Sequence, residues 1–144
     1  NGQTDKASEY EARAKEYEPE TVESLRARLG QKGLAPKDRY DALVRLGDLL
    51  YQQGEIDGAL QSYRQARDID DTNPELIRKY VQALMQIAPE HEALADLIAL
   101  ARCYENKGAA LRALEAYEQV LRIDSRNQVA KAGRARMRKI TNAE

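Results

Sequence analysis

The sequence predicts an all-α protein in which about eight short helices stack as antiparallel pairs into an α-solenoid. Apolar residues recur at three- and four-residue spacing through most of the chain, which is the period of an amphipathic helix. Glycine and proline divide this pattern into short stretches with brief connections, so neighbouring helices should pack antiparallel. In addition, residues 40–73 are repeated without gaps as residues 94–127.

Composition limits the class of protein. The chain has 144 residues, a formal net charge of -1, 42% hydrophobic residues and 33% charged residues. It is too apolar for a disordered chain, and no apolar run approaches the roughly 20 residues that span a bilayer. The polar first twenty residues show no secretory signal pattern, and the single Cys103 allows no intrachain disulfide. We therefore expect a cytoplasmic protein, with a periplasmic location or a place in a larger assembly as alternatives.

Breaker residues set the expected helix ends. Asn73 offers a capping side chain, and the following Pro74 occupies a first-turn position whose N–H has no helical partner. Gly30, Gly54 and Gly108 stand where a helix should stop and the chain should enter the left-handed region. The resulting helices are expected at 5–17, 20–30, 37–53, 56–69, 74–87, 90–106, 109–122 and 128–140.

The internal repeat indicates how each helix pair packs. Small residues at equivalent positions, such as Gly47 and Ala101, should let two helices approach closely, and Tyr63 and Tyr117 should fill space toward the next unit. Because one pair cannot bury both its faces, the units must stack. The first series is Leu43, Leu46, Gly47, Leu50, Gly54, Ala59, Leu60, Tyr63, Ala66, Ile69 and Asp70; the second is Leu97, Leu100, Ala101, Tyr104, Gly108, Ala113, Leu114, Tyr117, Val120, Ile123 and Asp124.

Both segments resemble the 34-residue tetratricopeptide repeat (TPR), whose pattern of Leu-Gly, aromatic, Gly, Ala, aromatic and Ala they follow in register. The resemblance implies a TPR-like α-solenoid forming a single domain over residues 1–144. We expect its parts to be 1–36 as degenerate N-terminal helices, 40–73 and 94–127 as repeats, 74–93 as an irregular extra helix, and 128–140 as a basic capping helix.

The extra helix at 74–87 shifts the parity of the stack. If helices simply alternate, the second repeat presents its first helix on the opposite side from the first repeat. The alternatives are a re-angled superhelix or a helix lying across the stack.

The first and last helices each have a predicted apolar side. On the first helix it is formed by Ala7, Tyr10, Ala14 and Tyr17, and on the last helix by Val129, Ala132, Met137 and Ile140.

The two ends of the chain carry opposite charge. Residues 1–23 hold seven acids and three bases, whereas residues 126–140 hold six bases and no acid. Three interpretations stay open: a basic end that binds acidic partners, lipid headgroups or nucleic acid; head-to-tail self-association into a homo-oligomer; and a solvated cap. Residues 126–140 hold no aromatic residue on which bases could stack, which argues against specific single-strand nucleic-acid binding. The basic residues are Arg126, Lys131, Arg134, Arg136, Arg138 and Lys139.

Catalytic and metal-binding patterns are nearly absent from the sequence. His91, the only histidine, has no second histidine or cysteine at ligand spacing, and Cys103 occupies a repeat position suited to a small half-buried residue. Phosphate-binding glycine loops and nucleophile motifs are missing. We expect no enzyme, no cofactor and no metal.

The resemblance to tetratricopeptide repeats implies a protein–protein interaction module: an adaptor, scaffold or assembly factor that binds a partner helix or peptide in a concave groove. A looser likeness to cytochrome c biogenesis repeat domains implies a periplasmic assembly chaperone as an alternative. Positions used for carboxylate capture in some members hold Val44, Asp48, Ile98 and Arg102 here, which argues against a heat-shock co-chaperone role. Partner-binding residues are expected on each repeat's first helix, at Asp41, Val44, Arg45, Asp48, Tyr51 and Gln52, and at Ile98, Arg102 and Glu105.

Overall fold

The computed structural model describes Lys6, Ser8, Glu9 and residues 19–142. The expected helix at 5–17, with its Ala7, Tyr10, Ala14 and Tyr17 stripe, lies largely outside these described residues. Within residues 19–142 the chain forms seven α-helices and no strand. They are α1 (Val22–Leu29), α2 (Pro36–Gln52), α3 (Ile56–Ile69), α4 (Pro74–Ile87), α5 (Leu94–Asn106), α6 (Ala110–Ile123) and α7 (Gln128–Asn142).

The expected breakers end most of these helices. Asn73 caps α4, because its side-chain oxygen accepts a hydrogen bond from the Glu75 amide at 3.0 Å. Gly54 and Gly108 follow α2 and α5 at φ of 81° and 75°, a region that favours glycine because it has no Cβ. The expectation for Gly30 is confirmed for the helix end, since α1 stops at Leu29 and Gly30 caps it, but wrong for the backbone. Gly30 stays at φ -76°, and Gly33 makes the left-handed turn at φ 80°.

The helix expected at 90–106 is divided in two. Glu90–Ala93 forms one turn of 3-10 helix, and the α-helical hydrogen bonding of α5 starts only at Leu94. The turn follows Pro89, which has extended backbone at ψ 144°. Short 3-10 turns are common at the start of α-helices, so this turn joins α4 to α5 without a long loop.

Consecutive helices pack on each other, and polar contacts join every second helix. Between α2 and α4, Lys79 contacts Asp48 at 2.8 Å. Between α3 and α5, Arg67 contacts Asp96 at 2.7 Å. These contacts show that α4 lies beside α2, and that α5 lies beside α3.

The same alternation continues toward the carboxyl end. Arg112 of α6 lies 3.9 Å from Glu75 of α4, and Arg136 of α7 contacts Glu105 of α5 at 2.9 Å. Thus α2, α4 and α6 form one layer, the even layer, and α3, α5 and α7 form the other, the odd layer. Simple alternation is therefore what the structure shows: α5, the first helix of the second repeat, lies on the opposite side from α2.

Helix α4 has two apolar sides that serve two cores. Leu76 and Tyr80 belong to the amino-terminal core with residues of α1, α2 and α3. Ile77 and Val81 belong to the carboxy-terminal core with residues of α5, α6 and α7. All four side chains are buried. A helix that is apolar on two sides has to be covered on both, so α4 joins the halves of the stack.

Two tyrosines pack directly on glycines of another helix. A Cβ added at Gly47 would lie 2.4 Å from the Tyr63 ring, and one added at Gly133 would lie 2.4 Å from the Tyr117 ring. Gly47 therefore allows the expected close approach of α2 and α3. Tyr117 lies against α7, the next unit, as expected, whereas Tyr63 packs back on α2 of its own repeat.

The apolar side expected for α7 is largely wrong. Ala130, Gly133 and Met137 are the buried residues, while Val129 and Ile140 are 41% and 51% exposed. The physical reason is the ring of Tyr117, since a flat aromatic surface at this distance fits small residues on the facing helix. Only Met137 belongs to both the expected and the observed sides.

We expect Gly133→Ala to destabilise the fold, although alanine has the higher helix propensity. The new methyl group would lie 2.4 Å from the ring of Tyr117, which is fully buried. Overpacking of this kind costs about 1–3 kcal/mol, measurable by urea unfolding. Gly58→Ala is the matched control, because the nearest atom there is the end of the flexible Leu50 side chain at 3.2 Å. Equal or higher stability of Gly133→Ala would contradict the packing described.

Candidate functional site

The even layer carries a groove between α2 and α4. Its two parts have volumes of about 300 Å³ and 220 Å³, and Lys79 lines both. The first part is lined by Tyr40, Asp41, Val44, Arg45, Asn73, Glu75, Leu76 and Lys79. The second is lined by Asp48, Tyr51, Gln52, Tyr63, Arg78, Lys79 and Gln82.

The groove continues from α4 toward α6. A pocket of about 410 Å³ lies between α4, α5 and α6, and its lining shares Glu75 and Arg78 with the α2–α4 parts. The remaining lining residues are Leu100, Tyr104, Arg112, Glu115, Ala116 and Gln119. One polar surface with apolar patches therefore runs across all three helices of the even layer, and we call it the even-layer groove.

A hydrogen-bond network holds α2 and α4 at the centre of this groove. The Tyr63 hydroxyl donates to Asp48 at 2.6 Å, and Lys79 Nζ donates to the other oxygen of the same carboxylate at 2.8 Å. Burial, together with the negative Asp48, raises the pKa of Tyr63 well above its usual value, so its hydroxyl stays protonated as a donor. At the mouth of the groove, Tyr40 accepts a hydrogen bond from the Asn73 amide at 3.1 Å.

Glu75 is the hub of the α4–α6 part of the groove. Arg78 donates two hydrogen bonds to its Oε2, at 3.0 and 3.2 Å. The Tyr104 hydroxyl lies 3.4 Å from Oε1, and Arg112 lies 3.9 Å from it. Hydrogen bonding by Arg78 is the main cause that lowers the pKa of Glu75. These contacts hold the α5 and α6 walls against α4.

The predicted α2 residues all line the even-layer groove. Asp41, Val44 and Arg45 lie in its first part, and Asp48, Tyr51 and Gln52 in its second. Sequence reasoning missed the opposite wall, which α4 supplies. The sequence signal for that wall was the polar side of α4, namely Glu75, Arg78, Lys79 and Gln82.

The predicted α5 residues lie in the odd layer, away from the α2 residues. Ile98 packs on the carboxy-terminal core, and Arg102 is exposed. Glu105 accepts hydrogen bonds from Arg136 and from the Tyr117 hydroxyl, and the Arg136 contact is the main cause that lowers its pKa. Burial is the main cause that raises the pKa of Tyr117 to about 12. Glu105 thus joins α5, α6 and α7.

The predicted basic end lies on α7 and on the turn that precedes it. Arg136 is paired with Glu105, and Arg138 with Glu118 at 3.5 Å. Within residues 19–142, no ion pair involves the other four basic residues of this group. These are Arg126, Lys131, Arg134 and Lys139.

Cys103 and His91 make few polar contacts. The Cys103 thiol is half-buried, 3.8 Å from the Asp71 carbonyl oxygen, and burial raises its pKa, which disfavours the reactive thiolate. His91 is exposed in the 3-10 turn. The described part of the chain contains no cluster of three metal-ligating side chains. Among the described helices, none has the length and apolar character needed to cross a bilayer.

We expect Tyr63→Phe to lower the free energy of unfolding by about 1–3 kcal/mol, because the hydrogen bond to a carboxylate is lost while the ring stays on Gly47. Tyr51→Phe is the control, since no hydrogen bond of the Tyr51 hydroxyl is found in the described structure. Thermal unfolding of both variants measures the difference. An equal loss in the two would show that the Asp48 contact is not stabilising.

Stability should fall in acid partly through Glu75. Its pKa in the folded state is below the usual 4.5, so the unfolded chain binds more protons between the two values. The stabilisation is therefore complete above pH 4.5 and is lost as the pH falls through the folded-state value. Glu75→Gln should reduce the loss of stability between about pH 6 and pH 3 in urea titrations. Arg78→Gln removes the hydrogen bonds that lower the pKa of Glu75, so it should also reduce the loss of stability in acid. An unchanged pH profile in both variants would contradict this role.

Comparison with known proteins supports the repeat architecture. A family model for the TPR repeat matches residues 47–84, and a model for the tetratricopeptide repeat matches residues 97–127. The first match extends to residue 84, within α4, a helix predicted to lie outside the repeats. No curated protein sequence matches the chain significantly.

Among solved structures, the chain is similar to the first TPR domain of Spaghetti (RPAP3), solved with the HSP90 peptide SRMEEVD. The identity is 17%, the TM-score is 0.37, and the match covers 78% of this chain and 99% of that one. The two matched repeats and their stacked helix pairs identify the family. This chain belongs to the tetratricopeptide repeat superfamily.

Proposed function

We propose that the chain is a non-catalytic protein-interaction module that binds a helix or extended segment of a partner protein along the even-layer groove. The observation that carries the proposal is that groove's continuity, because the parts between α2 and α4 and between α4 and α6 share lining residues on α4. An adaptor, scaffold or assembly factor would need this kind of surface.

The chemistry of the groove suits recognition by shape with a few polar contacts. Val44 and Tyr51 are half-buried and offer apolar and aromatic area, and exposed Gln52 and Gln82 offer amide donors and acceptors. Four acids and four bases line the groove, so the groove has no net charge of one sign that would attract a partner. Individual charged side chains would instead position the partner through local ion pairs. These are Asp41, Asp48, Glu75 and Glu115, and Arg45, Arg78, Lys79 and Arg112.

The groove is also preorganised. Asp48 and Lys79 join α2 to α4, Glu75 pairs with Arg78 of its own helix, and Arg112 of α6 lies 3.9 Å from Glu75. A partner would therefore not have to order these side chains on binding, which reduces the entropic cost of association. This favours the α2 residues, together with α4 and α6, as the partner-binding surface.

The odd layer supplies a matched control. Arg102 lies on α5 at a repeat position equivalent to Asp48, but it is exposed on the other layer. If the even-layer groove binds the partner, substitution of Arg102 should leave affinity unchanged. This separates the α2 part of the predicted site from the α5 part.

The test starts with affinity purification using the whole chain as bait, followed by calorimetric titration of the purified partner. We expect Tyr51→Ala/Arg78→Ala to weaken binding by about tenfold or more, because aromatic and arginine side chains dominate interface energies. Arg102→Ala should bind like the parent chain. A double variant that binds normally, or an Arg102→Ala variant that binds as poorly as the double variant, would overturn the proposal.

A further inference from the structure

Helices α4 and α7 occupy equivalent places, since each follows a repeat and packs on its second helix. Their residues align with the same offset as the two repeats, so that Leu76 corresponds to Ala130 and Ala83 to Met137. All four are buried against the preceding helices. The inner sides of α4 and α7 are therefore alike in place and in burial.

The outer sides of the two helices differ in chemistry. On α4 the side facing α5 is apolar, and the equivalent side of α7 has three cations and an alanine. The α4 residues are Ile77, Val81, Leu84 and Met85, all packed in the carboxy-terminal core. Their equivalents on α7, which we call the outer face of α7, are Lys131, Ala135, Arg138 and Lys139, and all are exposed.

The stack therefore cannot continue past α7 by apolar packing. Covering Lys131 and Lys139 with an apolar helix would bury two charges without partners, at a large desolvation cost. Within the described residues neither lysine has an ion pair, and Arg138 is held by Glu118. A segment that covers this face has to bring carboxylates.

The character of the face favours a polypeptide over a lipid surface. Apart from the three cations it presents only Ala135 and the neighbouring exposed Ala132, without an aromatic or long apolar side chain to enter a bilayer. Because alanine side chains are small, a second helix can pack closely on this face, as α5 packs on α4.

We propose that the outer face of α7 binds the acidic residues 1–18 of a second copy of this chain, which makes a head-to-tail assembly. Charge complementarity supports this occupant. Residues 1–18 hold five acids against three bases, and the pattern over 5–17 predicts a helix. The next acid, Glu20, is already paired with Arg45 of its own chain. The contact joins different surfaces on the two copies, so it is heterologous and adds copies in a row or closes a ring. It is independent of the even-layer groove.

The first test is sedimentation velocity of the whole chain over a range of concentrations, at low and at high salt. Association should rise with concentration at low salt and disappear at about 1 M salt, where charge attraction is screened within a few ångströms. Lys131→Glu/Lys139→Glu should weaken association by about tenfold or more, since two attractive pairs become repulsive. Lys32→Glu/Lys107→Glu changes the net charge equally at exposed sites in other parts of the fold, and should associate like the parent chain.

The second test is a charge swap. Glu11→Lys/Glu16→Lys should also abolish self-association, because residues 1–18 then hold three acids and five bases and both proposed surfaces are basic. Mixing this variant with Lys131→Glu/Lys139→Glu should restore association between the two, since each then meets a surface of opposite charge. Circular dichroism of each variant checks that the helices are retained.

Several results would overturn the proposal. One is a chain that stays monomeric at low salt, whether or not vesicles of anionic lipid bind to Lys131 and Lys139. Another is an oligomer that persists at high salt or in both charge variants. A third is association that depends on α7 but not on Glu11 and Glu16, which would assign the outer face of α7 to another acidic segment.

Discussion

The structure depends on one constraint, which is that α4 is apolar on two sides. Leu76 and Tyr80 bury into the amino-terminal core, and Ile77 and Val81 into the carboxy-terminal core. The effect of removing apolar surface from water is non-directional, so it requires only that both sides be covered. Because α3 and α2 cover one side and α5 covers the other, the helices must alternate through α4. That alternation sets which helices share a layer.

The alternation explains where the polar residues go. Once α4 lies beside α2, the polar sides of the two helices meet. Asp48 then accepts hydrogen bonds from both the Tyr63 hydroxyl and the Lys79 ammonium group. On the other layer, Arg67 is brought between Asp71 and Asp96, at 3.1 and 2.7 Å, with its guanidinium 5.1 Å from the Tyr80 ring. Each layer is thus cross-linked by charged groups that only come together when α4 is in place.

The two Gly–Tyr contacts show how similar repeats acquire different packing. Tyr63 lies on Gly47 within its own repeat, and the position equivalent to Gly47 in the second repeat is Ala101. Tyr117 instead lies on Gly133 of α7 and donates its hydroxyl to Glu105. Since interiors are closely packed, the missing methyl group of a facing glycine is what lets each ring lie this close. The last helix therefore buries small residues, and its larger apolar and basic side chains face outward.

Local periodicity and backbone preference were enough to predict the α-helices of residues 19–142, apart from the 3-10 turn at 90–93, together with their ends at Asn73, Gly54 and Gly108 and the repeat family. The sequence also placed the α2 residues of the groove on one side of one helix. Packing between distant residues places Ile98, Arg102 and Glu105 in the other layer, makes α4 the facing wall of the groove, and buries Ala130 and Gly133 of α7. Those outcomes follow from which helices cover α4 and from the shape of Tyr117, which are contacts between residues distant in the chain.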